Sequence, residues 1–312
     1  MMKKSEIRNP KSELVATDET RTEHGIESVF RRCFIRGSLS FGFRILSFGF
    51  CPWLALIAVI APLSFSRDAQ RSAAADQGDS AWGTIKGQII YDGDPIPERK
   101  PLNVSKDQEH CLGKGPILSE DWVVDKQNKG VRWTFVWLAP EPGGAALPIH
   151  PTLKDIQNKE VEIDQPRCAF LPHCLGMREG QVLVAKNSAP IAHNIRWVGN
   201  PIKNPGGSNI IPGNGSFKIE GLKADKLPLI IECNIHPWMK GRLGVFDHPY
   251  FAVTDDNGNF EIKLAPAGAY RLKVYHESVG WRGGAEGRNG EKITIKGGGV
   301  TDLGKLGIKP SD

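Results

Sequence analysis

The segment Glu232-Cys233-Asn234-Ile235-His236-Pro237-Trp238-Met239 places a thiol, an imidazole and a thioether on one short turn, spaced C-x2-H-x2-M, directly after the apolar run Leu229-Ile230-Ile231. A second imidazole, His193, stands 40 residues before Cys233 in Ala192-His193-Asn194-Ile195-Arg196-Trp197. Two imidazoles, a thiolate and a weak axial thioether suit copper cycling between two oxidation states. Cu(I) prefers soft sulfur, Cu(II) prefers nitrogen, and a rigid compromise lets an electron move with little rearrangement. His193, Cys233, His236 and Met239 are therefore the candidate ligands of one copper ion. Pro237 stiffens the ligand loop by fixing φ and removing an amide donor. Asn194, beside the first histidine, is placed to tie the two ligand segments together and to hydrogen-bond behind the thiolate.

Other chemistry-bearing residues point less far. The run Cys168-Ala169-Phe170-Leu171-Pro172-His173-Cys174-Leu175-Gly176-Met177 holds two thiols, an imidazole and a thioether, but at a spacing that matches no metal motif, so a structural role or a disulfide is expected. His248 and His276 fall at suspected domain boundaries, where hydrogen bonding between domains is the expected role. The run Gly283-Gly284-Ala285-Glu286-Gly287-Arg288-Asn289-Gly290 is glycine-rich but shows no strand-to-helix context in the sequence, so a dinucleotide loop is not expected. Asn103-Val104-Ser105 and Asn214-Gly215-Ser216 match the glycosylation triplet, which decides nothing alone. No nucleophile elbow or Ser/His/Asp order supports hydrolysis, and no second histidine-rich run supplies the further copper sites of an oxidase or nitrite reductase.

The elements that must hold the ligands read as strands. Gly and Pro punctuate the chain after the leader every 8 to 12 residues, and helical periodicity is nearly absent. Eleven short alternating or apolar runs stand between turn signals: 83–91, 131–138, 160–163, 181–185, 194–198, 216–219, 227–233, 241–246, 259–264, 270–274 and 292–295. That pattern predicts an all-β sandwich architecture. In 312 residues with 40 Lys+Arg against 35 Asp+Glu, the net charge of +5 hints at an acidic partner. Residues 1–75 carry 11 basic and 7 acidic residues, hence +4 of that charge, so the rest is nearly neutral and no nucleic-acid partner is expected.

Those first 75 residues place Arg31, Arg32, Arg36 and Arg44 before an apolar run from Ile45 to Phe65, then Ala73-Ala74-Ala75. This predicts an export signal cut after Ala75, or, uncut, an N-terminal membrane anchor interrupted by Pro52 and Pro62. Either way the folded part is expected to be exported, periplasmic or extracellular. Of six cysteines, Cys33 and Cys51 fall in the leader. With Cys233 assigned to metal, an oxidising compartment favours a disulfide of Cys111 with Cys168 or of Cys168 with Cys174. The sequence leaves that choice open.

The late C-x2-H-x2-M loop, the Ala-His-Asn segment and the following Gly-x-Val strand together resemble the cupredoxins, amicyanin and plastocyanin in particular, with the short amicyanin spacing. The resemblance covers about 95 residues. It implies a Greek-key β-sandwich over 150–248 and a type 1 copper ion on His193, Cys233, His236 and Met239. It also implies electron transfer through an exposed edge of His236, in an apolar patch with Pro237 and Trp238, to a redox protein such as a c-type cytochrome or dehydrogenase. Copper carriage or storage and a non-redox surface-binding module are the alternatives. A second resemblance, to the carboxypeptidase regulatory-like (transthyretin-like) sandwich, rests on Gly83 to Pro95 with the run at 131–138, and then on Ala252 to Val274. In that stretch Asn257-Gly258 supplies a hairpin turn and Phe260, Ile262 and Leu264 point inward. It implies a discontinuous domain, 82–149 and 249–312, interrupted by the first, with two sandwiches in tandem as the rival arrangement.

Overall fold

The computed structural model describes residues 80–310. The leader, its cleavage or anchoring, Cys33 and Cys51 lie outside the described residues. Among the described residues no helix is long and apolar enough to cross a membrane. The described residues are all-β, with sixteen strands and only single-turn helices among them.

The β-branched runs form strands because alternate residues find a core on one side. In β1 (Trp82–Tyr91), Ile85, Ile89 and Tyr91 are buried. This strand is the middle of a three-stranded sheet, antiparallel to β12 (Asn259–Pro266) and parallel to β16 (Val300–Ile308). A second sheet packs against it, ordered β11 (Phe251–Val253), β2 (Phe135–Ala139), β13 (Gly268–His276), β14 (Gly280–Trp281), with β15 (Glu291–Ile295) also on β13. Val136, Leu138, Leu272 and Val274 from this sheet meet Ile85, Ile89, Phe260, Ile262 and Leu306 from the first. Burial of such side chains is worth roughly 1.5–3 kcal/mol each.

Between β2 and β11 the chain builds another pair of sheets. One is ordered β4 (Cys174–Arg178), β10 (Lys240–Phe246), β9 (Leu229–Glu232), β6 (His193–Val198), β7 (Gly207–Ile211). The other is β3 (Glu160–Ile163), β5 (Val182–Asn187), β8 (Gly215–Ile219). Their facing residues, among them Ile163, Met177, Leu183, Ile195, Ile231 and Leu243, make a separate core. No described strand pairing joins this inner group to β1, β2 and β11–β16. The two groups meet through Trp133, Phe135, Trp137, Cys174 and Phe246.

All eleven expected runs contain a strand, and two details differ from expectation. Asn257-Gly258 does not join a hairpin, because β11 and β12 belong to different sheets; the turn is a corner between them. Gly258 is needed there, with φ 74° and a position where a Cβ would lie 2.2 Å from the Ile89 carbonyl oxygen. Phe260 and Ile262 point inward, but Leu264 is 37% exposed with φ 54°, and Ala265 is buried in its place. Opposite it the register jumps between Gly83 and Ile85, so an extra residue bulges from β12 and reverses the alternation.

Candidate metal centre

The loop 233–239 connects β9 to β10, which pair antiparallel with Lys240 opposite Glu232. Backbone bonds tighten it: the Cys233 N–H donates to the Met239 carbonyl at 3.2 Å, and the Met239 N–H to the His236 carbonyl at 2.9 Å. His193 is the first residue of β6, which lies beside β9 with Arg196 opposite Glu232. Sheet pairing thus carries a residue from position 193 to the loop at 233–239.

Three donor atoms converge there. His193 Nδ1 and His236 Nδ1 are 2.8 Å apart. The Cys233 Sγ lies 4.0 Å from the first and 3.8 Å from the second. His193 and His236 are fully buried, Cys233 is 2% exposed, and Met239, on the same loop, is 1% exposed. Burial, with His236 and His110 nearby, pushes His193 down to about 4, so at neutral pH its ring is uncharged. The Nε2 of His193 is buried without a hydrogen-bond partner. Two imidazoles and a thiol crowded within reach of one another, away from water, form a donor set suited to a soft or borderline metal.

Asn194 spans both ligand segments. Its backbone N–H points at the Cys233 Sγ at 3.4 Å, its side-chain oxygen accepts from the Asn234 N–H, and its side-chain amide donates to the Ser208 hydroxyl at 2.9 Å. Pro237 is exposed, and Trp238 is half-buried, its ring centroid 5.1 Å from that of His236.

The expected exposed edge of His236 is absent. The ring is completely buried because the segment 102–117 lies over it, and its Nε2 is 2.8 Å from Asp107 Oδ2. That segment is pinned at its neck by the Leu102 N–H to the Ile117 carbonyl and the Ser119 N–H to the Lys100 carbonyl, both 2.8 Å. Val104 and Cys111 belong to the inner core. Nothing in the run 102–117 signals this, since its contact with His236 spans 129 positions. A cavity of about 170 Å³ remains between Ile117, Glu120 and His173 on one side and Pro237, Trp238 and Met239 on the other.

Of the two disulfides left open by the sequence, Cys111–Cys168 is formed, and Cys174 is a free, buried thiol. Burial and the charge of Glu277 raise the Cys174 pKa well above the ordinary thiol value, which keeps it protonated. The sulfurs of Cys111 and Cys168 also lie near His236 but, bonded to each other, offer no thiolate.

His173 does not join the donor set. It faces Glu277 through Nε2 and Glu120 through Nδ1 at 3.4 Å, while Arg242 reaches Glu277 at 3.1 Å. Burial alone would lower His173; the hydrogen bond to Glu277 and the two carboxylate charges outweigh it and raise its pKa. His276 stacks on Trp122, 4.7 Å between centroids, and His248 Nε2 bonds the Leu138 carbonyl at 3.0 Å. Phe170 and Met177, from the same cysteine-containing run, are core residues.

No family model and no curated protein sequence matches the chain. Part of it is similar to solved cupredoxin structures. An oxidised proline-to-alanine variant of amicyanin shares 15% identity over 29% of this chain and 86% of its own, with a TM-score of 0.26. A reduced tryptophan-to-tyrosine variant of amicyanin shares 14% over 35% and 97%, TM-score 0.26. A purple cupredoxin from Nitrosopumilus maritimus shares 18% over 27% and 97%, TM-score 0.23.

Proposed function

We propose that residues 150–248 are a mononuclear copper module, inserted into a transthyretin-like sandwich, and that the protein carries single electrons between redox partners outside the cytoplasm. One observation carries this reading: two imidazole Nδ1 atoms 2.8 Å apart, each about 4 Å from a buried thiol. His193, Cys233 and His236 would be the strong ligands, and Met239, on the same loop, would supply a weaker thioether. Copper held there supplies a one-electron couple. The chain's own part is to keep the donors fixed, with His193 set by β6 and the other three by the loop between β9 and β10, so that neither oxidation state can impose its preferred geometry. The Asn194 N–H, 3.4 Å from the Cys233 sulfur, would stabilise the negative charge of a metal-bound thiolate. With His236 covered, Trp238 is the nearest partly exposed aromatic group through which a partner such as a c-type cytochrome could exchange electrons. The disulfide accords with an oxidising compartment and export of the folded part.

Copper storage or delivery is the second reading, and the burial of His236 favours it, because no ligand edge is offered to a partner. The two separate by experiment. Titration with Cu(II) should give an intense visible thiolate-to-copper band, which Cys233→Ser should abolish; a Cys233→Ser protein that stayed coloured would remove Cys233 from the ligand set. Reversible reduction with electron exchange to a c-type cytochrome supports the carrier. A centre that takes up copper but exchanges no electrons supports storage.

A further inference from the structure

We propose that Asp107 is a positioning residue for the copper centre: its carboxylate holds the proton of His236 on Nε2 and so turns the lone pair of Nδ1 toward His193 and Cys233. The proposal rests on the copper reading above. A neutral imidazole carries one N–H, and the partner of one nitrogen decides which nitrogen is free to bind metal. An ionised carboxylate only accepts, so at 2.8 Å from Asp107 Oδ2 the Nε2 of His236 must be the donor. His193 shows the contrast: its Nε2 has no partner, and its Nδ1 faces only the Nδ1 of His236, 2.8 Å away, so no carboxylate sets its tautomer.

The local backbone makes clear that Asp107 is not serving its own segment. It stands at the N-cap of the short helix Gln108–Cys111, where an aspartate ordinarily accepts an N–H of the first turn. Here the side chain makes no capping bond, and the residue takes a left-handed conformation, φ 49° and ψ 37°. Its position is fixed from both sides. Four residues on, Cys111 is bonded to Cys168, and the Cys168 carbonyl accepts from Trp238 Nε1 at 3.1 Å, beside the His236 ring. On the other side, the Gln108 side chain donates to the Val104 carbonyl at 2.7 Å. The carboxylate therefore reaches the ligand on an arm clamped to the ligand loop itself.

The full chain should be compared with Asp107→Ala and with Glu109→Gln, which removes the same charge from an exposed site on the same short helix. In the metal-free protein at neutral pH, ring-nitrogen resonances should report His236 protonated on Nε2, and this preference should be lost in Asp107→Ala and kept in Glu109→Gln. With copper, Asp107→Ala should bind Cu(II) 10–100-fold more weakly in chelator competition. Cu(I), with one charge less, should suffer less, so the reduction potential should rise by about 59 mV for each tenfold difference between the two losses. A parent protein with His236 protonated on Nδ1, or an Asp107→Ala variant with unchanged tautomer, Cu(II) affinity and potential, overturns the proposal. A parent that shows the Nε2 tautomer yet takes up no copper overturns the copper reading and leaves the Asp107–His236 assignment standing.

Discussion

At the ligand loop, His193 and His236 turn their Nδ1 atoms toward each other and a thiol; at the seam between the strand groups, His173 is held between Glu277 and Glu120, with Arg242 closing the far side of Glu277. Both places are buried and both are rich in titratable groups. They differ in how burial is compensated. At the seam each charge has an opposite charge beside it, so Glu277 keeps a lowered pKa even though burial alone would raise it. At the loop two imidazole Nδ1 atoms and a thiol face one another with no charged group among them, Asp107 lying on the far nitrogen of His236, and a metal would satisfy the facing atoms together. A cluster that already balances itself joins surfaces, whereas a cluster left short of a partner is the place to look for a ligand.

The widest way to break this contrast is to cut each cluster once. Cys233→Ser should remove the copper band entirely, whereas Glu277→Ala should leave the band in place and destabilise the fold by about 3–5 kcal/mol, because Arg242 and His173 lose their buried counter-charge. Denaturant midpoints and visible spectra of the two variants check both halves. A Glu277→Ala protein as stable as its parent would mean that the seam is not held by charge.

A smaller effect should appear in acid. Burial pushes His276 down to about 4 from 6.5, so the unfolded chain takes the proton first and stability falls as pH drops from about 6.5 toward 4, by up to about 3 kcal/mol. His173 has the opposite sign: its raised pKa contributes stability that is complete below the unfolded value and is lost as pH rises through the folded one. His276→Gln should therefore flatten the acid limb of stability against pH relative to the parent, the His173 contribution cancelling between them. An unchanged slope would place the acid sensitivity elsewhere.

The smallest effect sharpens the loop itself. Asn194→Ala removes the acceptor for the Asn234 N–H and should cost about 1–3 kcal/mol. The backbone N–H to the Cys233 sulfur survives this change, so the copper band should persist. Loss of colour would show that the side chain, and not the backbone, orients the thiolate.

Much of this arrangement was legible in the sequence because it is local. Cys233, His236 and Met239 share one loop, and strands such as β3 and β10 announce themselves by short alternating or apolar runs. The five strands outside the eleven runs lack such a signal: β4 is Cys-Leu-Gly-Met-Arg, β16 is broken by Gly304 and Gly307, β7 is Gly-Ser-Asn before its two isoleucines, and β11 and β14 are three and two residues long. Asp107, Glu120 and Glu277 were invisible as functional neighbours. A lone acid carries no spacing signal, and each meets its histidine only after long stretches of chain have folded. The exposed His236 edge was wrongly expected for the same reason, since the segment that covers it packs through Val104 and Cys111, not through a periodic face.

The placement of β1 has a consequence for how the molecule is made. Its neighbouring strands, β12 and β16, leave the ribosome long after it, with Trp82 opposite Pro266 and Tyr91 opposite Ile308. Strands β3–β10 pair only among themselves, so they have all their partners well before β1 has a strand beside it, its earlier tie being the bridge of Ile90 to Gly130. During synthesis the chain therefore carries a β-branched strand with no neighbouring strand while its ligand loop is already closed, a long wait that slows completion and exposes a strand to the wrong neighbour. A chain stopped after β10 would hold every proposed copper ligand and lack both neighbours of its first strand.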